Sequence, residues 1–175
     1  MTAATGPSVR VWDRFVRVFH WSLVTLIAAA WLTPEAKVIH HWIGYAVLGL
    51  VAARLVWGMI GSRHARFADF VRGPAAVIAY LRDLLRGQER RYLGHNPAGG
   101  AMIVALLAVI AVTGVSGWLM LTDRFWGSSM IEEIHEISAN LVLILVGCHV
   151  AGVIWESLRH RENLVRSMIT GRKRA

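Results

Sequence analysis

Residues Glu132–Trp155 read EEIHEISANLVLILVGCHVAGVIW, a run of Leu, Val, Ile, Gly and Ala interrupted by two histidines, His135 and His149. At about 100° and 1.5 Å per residue, their separation places both imidazoles within roughly 40° of one helix face and about 21 Å apart along the axis. Two imidazoles near opposite ends of one apolar helix suit two ligated cofactors, one toward each face of a bilayer. A neutral imidazole ligates iron, and b-type haems are commonly held between histidines of different helices. The plainer reading is a pair of core histidines hydrogen-bonded to backbone carbonyls. The two readings separate on whether other segments supply partner histidines at matching depths.

Composition sets the frame. Of 175 residues 55% are hydrophobic and 17% charged, and the mean hydropathy is +0.48, more apolar than an ordinary soluble domain. The formal net charge is nevertheless +8 and the pI near 11. Cys148 is the single cysteine, so an intrachain disulfide is excluded. It lies in no C-x-x-C-H stretch, which argues against thioether-attached haem, and no structural zinc pattern appears.

Met1–Arg17 is a basic lead carrying Arg10, Arg14 and Arg17, followed by an apolar run to Leu32. A basic start before an apolar run also describes a cleaved signal peptide. Here Trp31-Leu32-Thr33-Pro34 is a poor cleavage site and His20 sits inside the run, so residues 15–32 are expected to be the first span. Trp12 and Trp21 suit an interfacial aromatic belt. A short turn with Pro34 returns the chain into a second span, 40–60, which opens with His40 and His41. Gly44 lies one turn beyond His40 and removes a side chain that would obstruct a flat macrocycle; close helix packing is its other reading. Arg54 falls on nearly the same face toward the other end, where either a haem propionate or snorkelling would satisfy it.

Gly61–Pro97 is the one long connection and holds seven arginines. Within it residues 74–87 have proline at the start, glycine at the end, and Val77, Ile78, Leu81, Leu84 and Leu85 on one side: a short interfacial helix. A nucleic-acid role for these arginines lacks aromatic interleaving and a recognition fold. His95, in Gly94-His95-Asn96-Pro97, reads as a loop or cap residue. The third span, 98–121, has no histidine; Gly114 and Gly117 let a helix or macrocycle come close. The fourth, 130–158, carries Glu132 and Glu133 at its positive N-terminal dipole, and Ser138 and Asn140 for hydrogen bonds across helices. The tail beyond it is basic and expected to be partly helical. The fold expected is therefore an all-α integral membrane protein, a four-helix bundle forming one membrane-embedded unit over residues 1–175.

With four spans, the lead, the long connection and the tail share one side and hold sixteen lysines and arginines, against two, Lys37 and Arg124, in the opposite loops. The positive-inside rule then places both termini in the cytoplasm, and accounts for the high pI without nucleic acid. Alternating helix direction fixes depth. His20 and His149 lie toward the cytoplasm, and His40 and His135 open their spans from the outer side. Depth thus allows the pairs His20/His149 and His40/His135 and forbids the crossed ones. Two bis-histidine haems b follow, with His41 competing with His40 for the outer one. His64 and His160 lie outside the spans and read as solvated or headgroup-facing.

In this order, the stretches Val11-Trp12-Asp13 through Phe19-His20-Trp21, His40 through Gly44-Tyr45, Arg54-Leu55-Val56-Trp57-Gly58 and Gly94-His95-Asn96-Pro97 cover the first half of a recognisable pattern. Gly117-Trp118-Leu119-Met120, Ile134-His135-Glu136 through Ala139-Asn140, His149 and His160-Arg161-Glu162-Asn163 complete it. The chain resembles bacterial di-haem cytochromes b of the cytochrome b561 type, which include the b subunits of membrane-bound nickel–iron hydrogenases. The resemblance implies that the membrane is a bacterial inner membrane. It also implies four axial ligands, one histidine on each of the first two helices and two on the fourth: His20, His40, His135 and His149. His40 is matched because the family ligand precedes its glycine by four, and the adjacent His41 departs from many relatives.

The function expected is an electron conduit across the membrane, linking a redox partner to the quinone pool of a respiratory chain. That partner is expected to be a c-type cytochrome or a hydrogenase-like subunit. Bis-histidine ligation leaves no open iron position, which favours electron transfer over oxygen or peroxide chemistry. No nucleophile–base constellation points to hydrolysis. An enzymatic alternative is a superoxide-oxidising quinone reductase. Its site would steer an anion with positive charge, whereas the outer loops, with Glu35, Asp123, Glu132 and Glu133 against Lys37 and Arg124, carry a net of about −2. A third reading is a haem-free structural subunit, which predicts a colourless protein. Membrane lipid is a partner on every reading, nucleic acid on none, and a homo-oligomer is compatible with all three.

Overall fold

The computed structural model describes residues 8–175; the opening of the basic lead, residues 1–7, lies outside the described residues. Strand β1 (Ser8–Arg10) leads into α1 (Arg14–Leu32). Asp13 starts that helix, its Oδ1 accepting the Val16 N–H at 2.8 Å. Thr33, with its hydroxyl returned to the Ala29 carbonyl at 2.7 Å, and then Pro34 end it. Helix α2 (Lys37–Ile60) begins a turn earlier than its apolar run, because the His40 N–H already bonds the Ala36 carbonyl at 2.9 Å. A 3-10 turn at Arg63–Ala65 and the single-turn α3 (Phe67–Phe70) follow, then α4 (Pro74–Leu85), with proline in its first turn and Gly87 at φ 67° beyond its end. Ile78, Leu81 and Leu85 are exposed on α4, as an interfacial helix requires.

Asn96 caps α5 (Pro97–Leu119) through its Oδ1 and the Gly99 N–H at 2.7 Å. Helix α6 (Ser129–Arg159) has 31 residues, about 46 Å, longer than the roughly 30 Å of a bilayer core, so its last turns stand in the interface. The tail forms α7 (Leu164–Thr170), capped by Asn163 and stopped by Gly171 at φ 79°, and strand β2 (Arg172–Arg174). β2 pairs antiparallel with β1, Val9 opposite Lys173. This two-stranded ribbon is an addition to the expected all-helical fold. Three-residue strands are too short to show alternation.

α1, α2, α5 and α6 are each long and apolar enough to cross a membrane, and they form the four-helix bundle. Phe19, Val47, Val51, Leu107, Ile110 and Val142, contributed by all four, make its core. Most other apolar side chains on these helices face outward, where lipid is as good a solvent as the bundle interior, so association rests on close packing and interhelical hydrogen bonds. Gly114 supplies the first: a Cβ there would lie 2.7 Å from Leu48 Cδ2, so α5 and α2 meet at that glycine. Thr113 Oγ1 supplies the second, bonding Ser138 Oγ at 2.9 Å across α5 and α6. Asn140 departs from expectation, donating instead to the Glu136 carbonyl of its own helix.

The end of the bundle holding α3, α4, α7 and the ribbon, here the basic end, is a tied cap. Arg17 Nη1 donates to the Ile169 carbonyl at 2.6 Å, and Arg91 and Lys173 converge on Glu162. Trp12 is buried in this cap, its Nε1 donating to Ser167 Oγ at 3.4 Å, rather than lying in a lipid-facing belt. Trp21, half exposed, reaches the Met168 carbonyl at 3.4 Å.

Candidate functional site

Each histidine pair expected from depth meets in space. The ring centres of His20 (α1) and His149 (α6) lie 6.4 Å apart near the basic end. Those of His40 (α2) and His135 (α6) lie 6.2 Å apart toward the far end. The ring paired with His135 is that of His40; the neighbouring His41 is half-buried and makes no ring contact with His135. Along α6 the two sites are separated by about 21 Å.

The spacing suits a shared metal. An imidazole–metal bond runs to about 2.0 Å and the ring centre lies roughly 1.1 Å behind the nitrogen, so two imidazoles clasping one metal hold their centres about 6.2 Å apart. Direct imidazole–imidazole hydrogen bonding would draw the rings closer, and neither pair makes such a bond. Among the described residues no cluster of three or more His, Cys, Asp or Glu forms. A metal held by one of these pairs would need its other donors from a cofactor, and a macrocycle would supply them.

Hydrogen bonds outside the pairs set which nitrogen faces inward. His40 Nδ1 lies 3.1 Å from the Ala30 carbonyl, and His135 Nδ1 lies 2.9 Å from the Thr113 carbonyl. A carbonyl only accepts, so each Nδ1 carries the proton and each Nε2 keeps its lone pair for a metal. His20 differs: its Nδ1 is buried without a partner among the described residues. Gly117 makes room for the His135 ring, since a Cβ there would lie 2.9 Å from Cε1 and 3.1 Å from Nδ1. At Gly44 an added Cβ would meet nothing within 4 Å, so open space lies one turn from His40.

Arg54 does not snorkel: it is 3% exposed. Its Nη2 donates to the Ala65 carbonyl at 3.0 Å, its guanidinium carbon stands 5.0 Å from the Phe67 ring centre, and its Nη1 is buried without a partner among the described residues. Gly58, one turn on, lets Phe67 lie against α2, because any side chain there would overlap that ring. Asp13 joins the same region, its Oδ2 accepting from Trp57 Nε1 at 3.0 Å and Ser62 Oγ at 2.5 Å. Burial pushes the Asp13 carboxyl up, but hydrogen bonds from Ser62, the Val16 amide and Trp57, with the charge of Arg54, outweigh it and hold the group below the usual aspartate value.

Two features of the basic end are not apparent from sequence. His95 is no surface loop residue and leaves the capping to Asn96. Its ring is held between Trp12 and Phe70, both at 4.6 Å, with Nδ1 buried and unpartnered among the described residues. Burial, with the charges of Arg54 and Lys173, pushes it down to about 3, so it is neutral at ordinary pH. It lines a cavity of about 380 Å³ together with Arg63, His64, Phe70 and Tyr92. The second feature is Tyr80, the buried residue of α4, whose hydroxyl donates to Glu156, while Asn96 Nδ2 donates to both at 2.8 and 3.0 Å. Burial and the Glu156 carboxylate push this phenol far above its usual range. His64 and His160, expected in solvent, are both half-buried in the cap, His160 Nε2 lying 3.2 Å from Glu156.

Residues 11–171 match the family model of the prokaryotic cytochrome b561 proteins. The chain is also similar to proteins named "Probable Ni/Fe-hydrogenase B-type cytochrome subunit". That of Rhizobium leguminosarum bv. viciae is 24% identical, over 98% of this chain and 91% of the relative. That of Bradyrhizobium diazoefficiens is 20% identical over 98% and 88%, and that of Cupriavidus necator 22% over 96% and 89%. No solved structure matches.

Proposed function

The chain belongs to the prokaryotic cytochrome b561 family, and from that membership we propose that it is a di-haem electron conduit between a redox partner and the quinone pool. Membrane electron transfer by a b-type cytochrome, in a multi-pass bacterial membrane protein, goes with the family and the four apolar helices. The observation that carries the di-haem reading is the recurrence of one arrangement, two facing imidazoles about 6.3 Å apart, at two depths of one bundle.

His20 and His149 would hold one haem b and His40 and His135 the other. When bound, haem supplies one-electron redox chemistry. The chain's own residues do the rest. Carbonyls of Ala30 and Thr113 fix the tautomer of the far-end histidines; Gly44 leaves space beside His40, and Gly117 lets α5 close over His135. Arg54, with one buried N–H group unpartnered among the described residues and the Asp13 carboxylate shared with Trp57 and Ser62, would take a propionate at the basic end. Two histidines holding each haem would favour electron transfer over ligand activation.

The excess of arginine at the end holding both termini supports a cytoplasmic location for it, in the inner membrane. Quinone would bind at that end, where a cavity has the aromatic walls of Phe70 and Tyr92 and polar groups of Arg63, His64, Asp69, Arg72 and neutral His95. The far end, net acidic in its loops, suits a basic redox partner there. The relatives' names make a hydrogenase-like subunit the leading candidate, and a c-type cytochrome fits the same charge. The test is a pyridine haemochrome assay on the purified chain. Two haems are expected, falling to about one in each of His20→Ala, His40→Ala, His135→Ala and His149→Ala and staying at two in His41→Ala. A chain that holds one haem or none overturns the reading.

A further inference from the structure

At the basic end of α6 the backbone does something unusual. Helix α6 closes with paired bonds, Glu162 N–H to the Ser157 carbonyl at 3.0 Å and Arg161 N–H to the Leu158 carbonyl at 3.3 Å. This closure needs a left-handed residue after the cap, the place where glycine is usual because it carries no Cβ. Here it is Arg161, at φ 49°, the one non-glycine residue with positive φ among the described residues. A left-handed L-residue is less favourable than glycine at such a position, and such strain is worth a functional explanation when the side chain has one.

The side chain of Arg161 makes no hydrogen bond or ion pair among the described residues. The neighbouring carboxylate, Glu162, is engaged elsewhere, accepting from Arg91 at 3.2 Å and the Arg174 N–H at 2.7 Å. Arg161 stands at the mouth of a groove of about 350 Å³ between α6 and the returning α7, walled by Val153, Ile154, Leu158 and Val165. Ile154, Leu158 and Val165 are all exposed. The groove therefore has an apolar length where the last turns of α6 enter the interface. Its carboxylate, Glu162, is already paired with Arg91 and Lys173, and one cation, Arg161, has no partner among the described residues. Asn163, also in the wall, uses its Oδ1 to cap α7 at 2.7 Å from the Arg166 N–H.

We propose that the α6–α7 groove is a site for one anionic phospholipid, an acyl chain lying along Ile154, Leu158 and Val165 and the phosphodiester paired with Arg161. Charge complementarity selects this occupant. A neutral amphiphile would fill the apolar walls equally well but would give no reason for an arginine where glycine is less strained. The site is independent of the haem ligands, so the two assignments stand or fall separately.

The test uses the full-length chain, delipidated in detergent and titrated in native mass spectrometry with phosphatidylglycerol or phosphatidylcholine of identical acyl chains. Wild type is expected to hold one phosphatidylglycerol about tenfold more tightly than phosphatidylcholine. Arg161→Gly keeps the left-handed turn and drops the charge; it should bring the two lipids to parity with a melting temperature no lower than wild type. Arg161→Gln, of similar length and uncharged, should lose the preference too, and Arg161→Lys should keep most of it. No lipid preference in wild type, or a preference that survives in both uncharged variants, overturns the site.

Discussion

Trp12 and His95, from opposite ends of the first three-fifths of the chain, meet ring to ring at 4.6 Å beneath the basic-end cap. Phe70 closes the other side at the same distance, so the imidazole is walled by aromatic faces. The folded chain holds this histidine neutral down to about pH 3, whereas an unfolded histidine protonates near 6.5.

From that difference comes a pH dependence of definite sign. Between pH 6.5 and about 3 the unfolded chain takes up a proton that the folded chain refuses, so stability falls as pH falls through that window. His95→Phe keeps an aromatic ring between Trp12 and Phe70 and removes the proton uptake. Melting temperature in detergent from pH 7 to 4.5 should drop at most half as far in the variant as in wild type. Parallel pH profiles would place the acid sensitivity elsewhere.

Gly117 and Gly44 make a matched pair for the far-end site. Alanine at 117 would push directly on the His135 ring, with 2.9 Å to Cε1. At 44 a Cβ would meet nothing in the chain within 4 Å, so a valine there grows into open space. Both Gly117→Ala and Gly44→Val are therefore expected to reduce haem content from two toward one per chain, by opposite routes: one tilts a ligand, the other fills the space beside it. Gly44→Val should do so with its melting temperature in the haem-depleted form unchanged. Full haem content in both variants would count against a cofactor between His40 and His135.

Much of this architecture is legible in the chain itself, for reasons that can be named. A bilayer demands apolar length, so α1, α2, α5 and α6 announce themselves, and alternating direction then assigns depth to His20, His40, His135 and His149 without any contact information. The cap is harder to read. His95 sits in a polar Gly-His-Asn-Pro turn, and nothing local reveals that Trp12 and Phe70 arrive from distant segments to bury it. Tyr80 carries a weak signal, a lone phenol among the leucines of an amphipathic helix, but its partners Asn96 and Glu156 come from two other elements. For Arg54, periodicity places it on the face of His40, and only the tertiary fold shows the Ala65 carbonyl that receives it.

Asp13 joins three elements, capping α1 and accepting from Trp57 of α2 and Ser62 beyond it. Asp13→Ala removes the cap and leaves two donors short of an acceptor, a loss of about 2–3 kcal/mol. Asp13→Asn keeps a capping oxygen but drops the charge beside Arg54 and puts an amide NH2 where Oδ2 accepted from Trp57 and Ser62, costing about 1–2 kcal/mol. The carboxylate contribution is present above the unfolded aspartate value of 3.8 and disappears as pH falls through the lower folded value, so wild type and Asp13→Asn should converge in strong acid. Thermal melts of the two variants at neutral pH read the difference. Equal losses would mean that the capping oxygen kept by asparagine contributes nothing and that the carboxylate accounts for the whole effect.

Arg54 is the remaining lever on the basic-end site. It is a buried cation with one N–H group uncommitted, on the helix whose loop packs Phe67 against it. A fixed positive charge favours the reduced form of a nearby redox centre, because reduction adds an electron to its field. Arg54→Gln keeps a donor for the Ala65 carbonyl and removes the charge. The midpoint potential of the haem at His20/His149 should fall by about 40 mV for each 1 kcal/mol of interaction lost, while the haem at His40/His135 moves little. Potentiometric titration of the two haems, resolved by their spectra, measures both at once. A fall in the far-end potential with the basic-end one unmoved would put the guanidinium on the wrong cofactor and send the propionate assignment elsewhere.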